Sequence, residues 1–234
     1  MKIKISAGFA IAFVALRFIM HDLHELMHTS IGRIICGCWG QRDFNTWSLC
    51  EGCIEKNHWA VLATFSGPLF TYMAIWTGVY LLLQKKDHPM KSAGFALIFA
   101  NNPFARIFTA AMGKGDEVFG LKTFLRNTSL AWICGLLIVL LFTICPLYAS
   151  FITITNKKRA IYFIIFLLFP MLLDSVLIFG VMDPLLNANV LSNYWILGSQ
   201  VLVTVVTLFF LVILLLTRKQ LLRLWHEEVS VVTL

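Results

Sequence analysis

The chain has 234 residues, 59% of them hydrophobic and 13% charged, with 20 Phe, 7 Trp and a mean hydropathy of +0.81. A globular domain carries about 25% charged residues, and so few polar side chains cannot cover a water-facing surface, which excludes an ordinary soluble fold and intrinsic disorder alike. The formal net charge of +7 does not point to nucleic acid, because the Lys and Arg stand in short clusters between apolar runs, where membrane orientation and lipid headgroups account for them.

In chain order, the first apolar run extends from Ile5 to Cys36. Met1 to Met20 leads into HDLHELMH rather than a small-residue cleavage site, so an uncleaved first helix is expected. Five further apolar segments follow: Trp59 to Leu83, Ser92 to Met112, Ser129 to Ile154, Ala160 to Val181 and Tyr194 to Thr217. Each approaches the roughly 20 residues that a helix needs to cross a bilayer. The pattern predicts an all-α, polytopic transmembrane helical bundle of about six spans, forming one membrane domain over residues 1–234. Basic clusters at Lys2 and Lys4, at Lys85, Lys86 and Lys91, at Lys157, Lys158 and Arg159, and at Arg218, Lys219 and Arg223 mark alternate span ends. Six spans put all four on one side, which the positive-inside rule makes cytoplasmic, together with both termini. The loop from Asp183 to Asn193, free of Lys and Arg, then falls outside, while Lys114, Lys122 and Arg126 run against the trend.

The longest hydrophilic stretch, Trp39 to Asn57, is flanked and filled by Cys36, Cys38, Cys50 and Cys53. On an oxidising side this spacing favours two disulfides, and in a reducing compartment a structural zinc, so the side of the membrane decides the chemistry. Cys134 and Cys145 lie within an apolar span and are expected as small core hydrophobes.

The sharpest feature is HDLHELMH, in which His24, Glu25 and His28 form HExxH. His24 and His28 lie one helical turn apart on one face, so their imidazoles can converge on a metal ion, for which zinc is expected. Glu25, on the flank of that face, is placed to take a proton from a metal-bound water and pass it to a leaving group. At 100° per residue, Arg17, His21, His24, Glu25 and His28 fall within about 100° of arc, a polar stripe that lipid rejects and that must face other helices or a water-filled cavity. The composition would produce HExxH by chance in about 0.4% of shuffled chains, so chance is a poor explanation. His21 reads as a support to the ligands or a lining of a substrate channel.

Two histidines do not complete a catalytic zinc, which takes three protein ligands and leaves one position open. Candidates for the third are Asp116 and Glu117 in GKGDE, Asp174 in PMLLDS, Asp183 in MDP, and the distant His58, His88 and His226, which read as interfacial. Asn101 and Asn102, beside Pro103, can hydrogen-bond an unwound substrate backbone or serve as glue between helices. Arg106, one turn on, can pair with Asp116 or Glu117 or stabilise an oxyanion.

The order HELMH, then SGPLFTY at Ser66, Gly67 and Pro68, then NNPFARIFTAAMGKGDE resembles the site-2 protease family of intramembrane zinc metalloproteases. The resemblance covers about the first 120 residues and implies catalytic-core helices over 1–120, including the cysteine loop 36–57, with enclosing helices over 121–234. It implies Asp116 as third zinc ligand, with Asp174 and Glu117 as alternatives. The chain departs from the family in that Asn102 and Asp116 lie fourteen residues apart and Glu117 stands where the family has Gly. The family's site is also cytosol-proximal, whereas the charge pattern here puts HELMH toward the outer face. The expected function is therefore a zinc-dependent intramembrane peptidase acting on membrane-protein or peptide substrates in the bilayer. A membrane zinc hydrolase of lipid amides or esters, and a metal or proton transporter using the His and Asp cluster, are the competing readings; scattered single histidines disfavour a di-iron oxygenase.

Overall fold

Helix α1 spans Ala7–Cys36 in a computed structural model that describes residues 1–84 and 88–224. Lys85, Lys86 and His226 lie outside the described residues. The Ser6 hydroxyl accepts from the Phe9 N–H at 3.1 Å to start α1, and Gly37, at φ 79°, ends it by donating to the Arg33 carbonyl. A short helix, α2 (Cys53–Lys56), and a 3-10 turn (His58–Leu62) lead into α3 (Ala63–Leu82). Then come α4 (His88–Ala100), α5 (Pro103–Ala111), α6 (Asp116–Leu125) and α7 (Thr128–Thr153). Helix α8 (Arg159–Asp174) continues as a π-helical stretch (Ser175–Met182) into α9 (Asp183–Asn187), and α10 covers Val201–Leu221. No strand occurs among the described residues.

Five of these helical stretches are long and apolar enough to cross a membrane: Ala7–Cys36, His58–Leu82, Thr128–Thr153, Arg159–Asn187 and Val201–Leu221. The segment Ser92 to Met112, expected as one span, is instead two helices that break at Asn101 and Asn102. Asn102 adopts the left-handed region at φ 49° and caps α5 by accepting from the Ala105 N–H, while Pro103 has no N–H with which to continue α4. The last span also starts later than expected, at Val201, because 188–200 forms a loop. Cys145 is exposed and Cys134 half-buried on α7, so neither is a core residue as expected.

One end of the bundle gathers the chain start, the end of α7 and the end of α10. The Met1 amino group bonds to the Thr153 carbonyl, Thr155 N–H donates to Met1 at 2.9 Å, and Lys4 N–H donates to Leu224 at 3.0 Å. Phe9, Phe13, Phe95, Phe99 and Phe166 form the core behind this end. Helices α3 and α4 cross here so closely that a Cβ on Gly94 would meet the Gly78 carbonyl, a small-residue contact of the kind that packs membrane helices. The opposite end carries the loops 37–52 and 188–200, joined where Arg42 N–H donates to the Gly198 carbonyl at 2.9 Å. Phe18, Phe44 and Phe210 pack beneath them. Because α3 returns to the first end and α7 starts at the second, the broken stretch α4 to α6 carries the chain between them. It passes the polar face of α1 on the way.

Candidate metal centre

The polar stripe of α1 faces inward: Arg17, His24, Glu25 and His28 are all buried. It is received by α3, by the α4–α5 break and by the start of α6. His24 Nε2 lies 3.2 Å from His28 Nε2 and 3.2 Å from Asp116 Oδ2, and His28 Nε2 lies 3.7 Å from the same oxygen. One ligand atom from each of these three residues falls within 4.8 Å of the others. Bonds of 2.0–2.2 Å to a tetrahedral zinc place neighbouring ligand atoms about 3.3–3.6 Å apart, so the three atoms stand close to three corners of such a site. His28 Nδ1–H donates to the Ala63 carbonyl at 2.7 Å, which leaves the Nε2 lone pair free. His24 Nδ1 sits 2.9 Å from Thr71 Oγ1. Anchoring the far ring nitrogen in this way orients a metal-binding imidazole.

Helix α3 approaches the two rings through Gly67. A Cβ there would collide with His28 Nε2 and come within 2.7 Å of His24 Cε1. Ser66 donates to the same Ala63 carbonyl, at 2.7 Å, that accepts from His28. The Ser-Gly-Pro segment therefore serves the histidines directly.

Glu25 is buried, and its Oε2 has no hydrogen-bond partner among the described residues. It lines a cavity of about 580 Å³, together with His24, Asp116, Asn101, Arg106 and Trp47. That volume lies within the range of small-ligand sites and admits a few residues of extended chain. Asn101 donates through Nδ2 to the Leu97 carbonyl at 2.8 Å, and its buried Oδ1 has no partner among the described residues. Arg106 places Nη1 2.8 Å from Asp116 Oδ2 and 3.7 Å from Glu117 Oε2, and its other terminal nitrogen 2.7 Å from His24 Nδ1 and 2.5 Å from His24 Nε2. Glu117 itself accepts from the Tyr72 hydroxyl at 2.5 Å. Its carboxylate thus holds α6 to α3 beside the cluster and lies outside the ligand set.

Asp174 stands apart from the histidines. It pairs with Arg17 and accepts from Asn102 Nδ2 at 3.0 Å. Arg17 also donates to the Ala100 carbonyl, and the group ties α1, the α4–α5 break and α8 together on the cavity wall. His21 lies between, with Nδ1 3.2 Å from Arg17 and Nε2 2.8 Å from the Phe44 carbonyl. It lines the cavity without joining the ligand set. Asp183 and His58 are also outside that set, as is His88.

Thr71, Trp47, Tyr72 and the Asp22–Arg42 pair are contributors that the sequence reading did not single out. Trp47 stacks on His28 with centroids 4.4 Å apart and planes 6° apart. A tryptophan inside a hydrophilic stretch between two cysteine pairs was the one signal for it. The four loop cysteines form two nested disulfides, Cys36–Cys53 and Cys38–Cys50. Compared with known proteins, the chain matches no family model, no curated protein and no solved structure.

Proposed function

We propose that this protein is a zinc-dependent intramembrane peptidase that hydrolyses peptide bonds of membrane-embedded segments. The observation that carries the reading is the convergence of His24 Nε2, His28 Nε2 and Asp116 Oδ2 beside a cavity that His24, Asp116 and Glu25 line, with Glu25 Oε2 lacking a hydrogen-bond partner among the described residues. His24, His28 and Asp116 would hold the zinc, which when bound supplies a Lewis acid that acidifies water and polarises a carbonyl. Glu25 takes the proton of the attacking water and delivers it to the departing amine. Arg106, beside Asp116, offers positive charge where a carbonyl oxygen becomes anionic. Asn101 Oδ1, buried and unpartnered, offers an acceptor to a backbone N–H of an unwound substrate. A bundle interior can admit and contain the water that this chemistry consumes, whereas a lipid-facing helix cannot.

We further propose six crossings, the sixth being the broken stretch α4 to α6, with both termini cytoplasmic. Lys2, Lys4, Lys91, Lys157, Lys158, Arg159, Arg218, Lys219 and Arg223 lie at the end that gathers the chain start, and no described Asp or Glu does. The disulfide-bearing end then faces the oxidising exterior. His24 lies about 26 Å along α1 from Ala7, so the centre sits in the outer part of the membrane.

The test is the full chain reconstituted in lipid nanodiscs, assayed on membrane-helix peptides with its metal content measured in parallel. Glu25→Gln should retain zinc and lose cleavage by about 10³-fold or more, since proton transfer by a positioned base is worth about 10²–10⁴. Cleavage at the parent rate in Glu25→Gln, or zinc bound as well by His24→Ala as by the parent, contradicts the reading.

A further inference from the structure

Beyond the ligands themselves, the loop 37–52 is built to hold one side chain in one place. Its ends are tied to the end of α1 by Cys36–Cys53 and Cys38–Cys50, bonds that close segments with sequence separations of 17 and 12. Its first arm is pinned by Arg42, which is buried and places Nη1 2.6 Å from Asp22 Oδ1 on α1. Phe44 plugs the core beside Phe18, and its carbonyl meets His21. A turn then reverses the chain, with Asp43 Oδ1 accepting from Asn45 N–H at 2.8 Å and Thr46 N–H at 2.7 Å. The returning arm lays Leu49 against α1 at Gly32, where a Cβ would come within 2.7 Å of the leucine side chain. Between these anchors stands Trp47, its indole parallel to the His28 imidazole.

We propose that Trp47 is a positioning residue for the metal centre, and that the two disulfides keep it there. The proposal rests on the metal-centre reading above. Beside the α3 backbone at Gly67 and the His24 ring, His28 is held by the Ala63 carbonyl, which sets the direction of Nδ1, and by Trp47, which covers one face. A hydrogen bond in the ring plane leaves the ring free to rock about that axis, and a flat aromatic neighbour removes that freedom. An imidazole that shares its electrons with a cation becomes electron-poor, which strengthens its attraction to the electron-rich indole face. The contact therefore favours the metal-bound ring. Trp47 also lines the cavity, with Asn45 and Thr46, so the loop is the outer wall past which a chelator or a substrate approaches. Losing the braces lets the loop leave α1, which frees the His28 ring and opens that wall together.

The experiment is zinc release from the loaded, full-length protein in nanodiscs into excess chromogenic chelator. It compares the parent, Trp47→Ala, Trp47→Phe and the parent treated with a water-soluble phosphine. Each disulfide takes two electrons from the phosphine, which leaves as phosphine oxide with its oxygen from water, and becomes two thiols, counted by maleimide gel shift. Trp47→Ala and the reduced parent should release zinc about tenfold faster or more, the scale on which groups that orient a metal ligand act. Trp47→Phe, which keeps a flat ring, should stay within about threefold of the parent, a rescue that general loosening of the fold would not produce. Release at the parent rate from either Trp47→Ala or the reduced protein overturns the proposal while leaving the metal centre standing. A parent that binds no zinc overturns the metal reading and this proposal with it. Should Trp47→Ala fail to fold, judged by helix content, the reduced parent alone decides.

Discussion

At the scale of single residues, the centre depends as much on what is missing from α3 as on what α1 presents. HELMH was legible in the sequence because helical spacing puts His24 and His28 on one face. The role of Gly67 was not, because a glycine before a proline reads as a kink, and only the approach of α3 shows that its missing Cβ makes room for two imidazoles. Gly67→Ala should therefore push the rings off the Ala63 and Thr71 anchors. We expect a loss of zinc affinity of about tenfold or more with a cost of about 1–3 kcal/mol in stability from overpacking, read by chelator competition and thermal denaturation. Unchanged affinity and melting would mean that the rings do not lie against the α3 backbone. Thr71 escaped the reading for a related reason: a threonine in an apolar helix has no periodic signature, and its contact with His24 comes from pairing across 47 residues.

At the scale of elements, the apolar rhythm located the long helices well, since burial in lipid demands an uninterrupted hydrophobic run. It failed at Ser92 to Met112, where hydropathy continues but the backbone turns at Asn102. The break is driven by local chemistry, an amide cap and an imino acid at the next position, and these do not register as a change of polarity. Its consequence is the shape of the candidate site. Interrupting the helix frees the Ala100 carbonyl for Arg17 and sends α5 across the cavity, so that Arg106 meets Asp116. The thirteen residues between Asn102 and Asp116, a spacing that departs from the family pattern, are taken up by α5 and a turn ending at Gly115, at φ 90°. Asp174 stands outside the cluster for a reason invisible in sequence: its carboxylate is engaged by Arg17 and Asn102. A buried guanidinium holds its partner firmly, because breaking such a pair strands a charge at about 3–5 kcal/mol.

At the scale of the whole molecule, the distribution of charge and the disulfides bear on the same question. The sequence left the cysteines open between disulfides and zinc, since spacing alone serves both. The fold nests them as two bonds at the end opposite the basic clusters. In intact cells expressing the full chain with Cys134→Ser and Cys145→Ser, we expect a membrane-impermeant maleimide to label the loop cysteines only after an impermeant phosphine is added outside. Labelling that requires permeabilised membranes would reverse the orientation and place the centre near the cytosol.

The central claim is that two imidazoles of α1 and one carboxylate of α6 share a zinc ion, and X-ray absorption at the zinc edge of the full chain in nanodiscs tests it most directly. We predict a first shell of nitrogen and oxygen at about 2.0–2.2 Å, with outer scattering from two imidazole rings, and loss of that pattern in His28→Ala. A sulfur shell at about 2.3 Å, which would put the metal on the loop cysteines, or the absence of bound zinc, would contradict it.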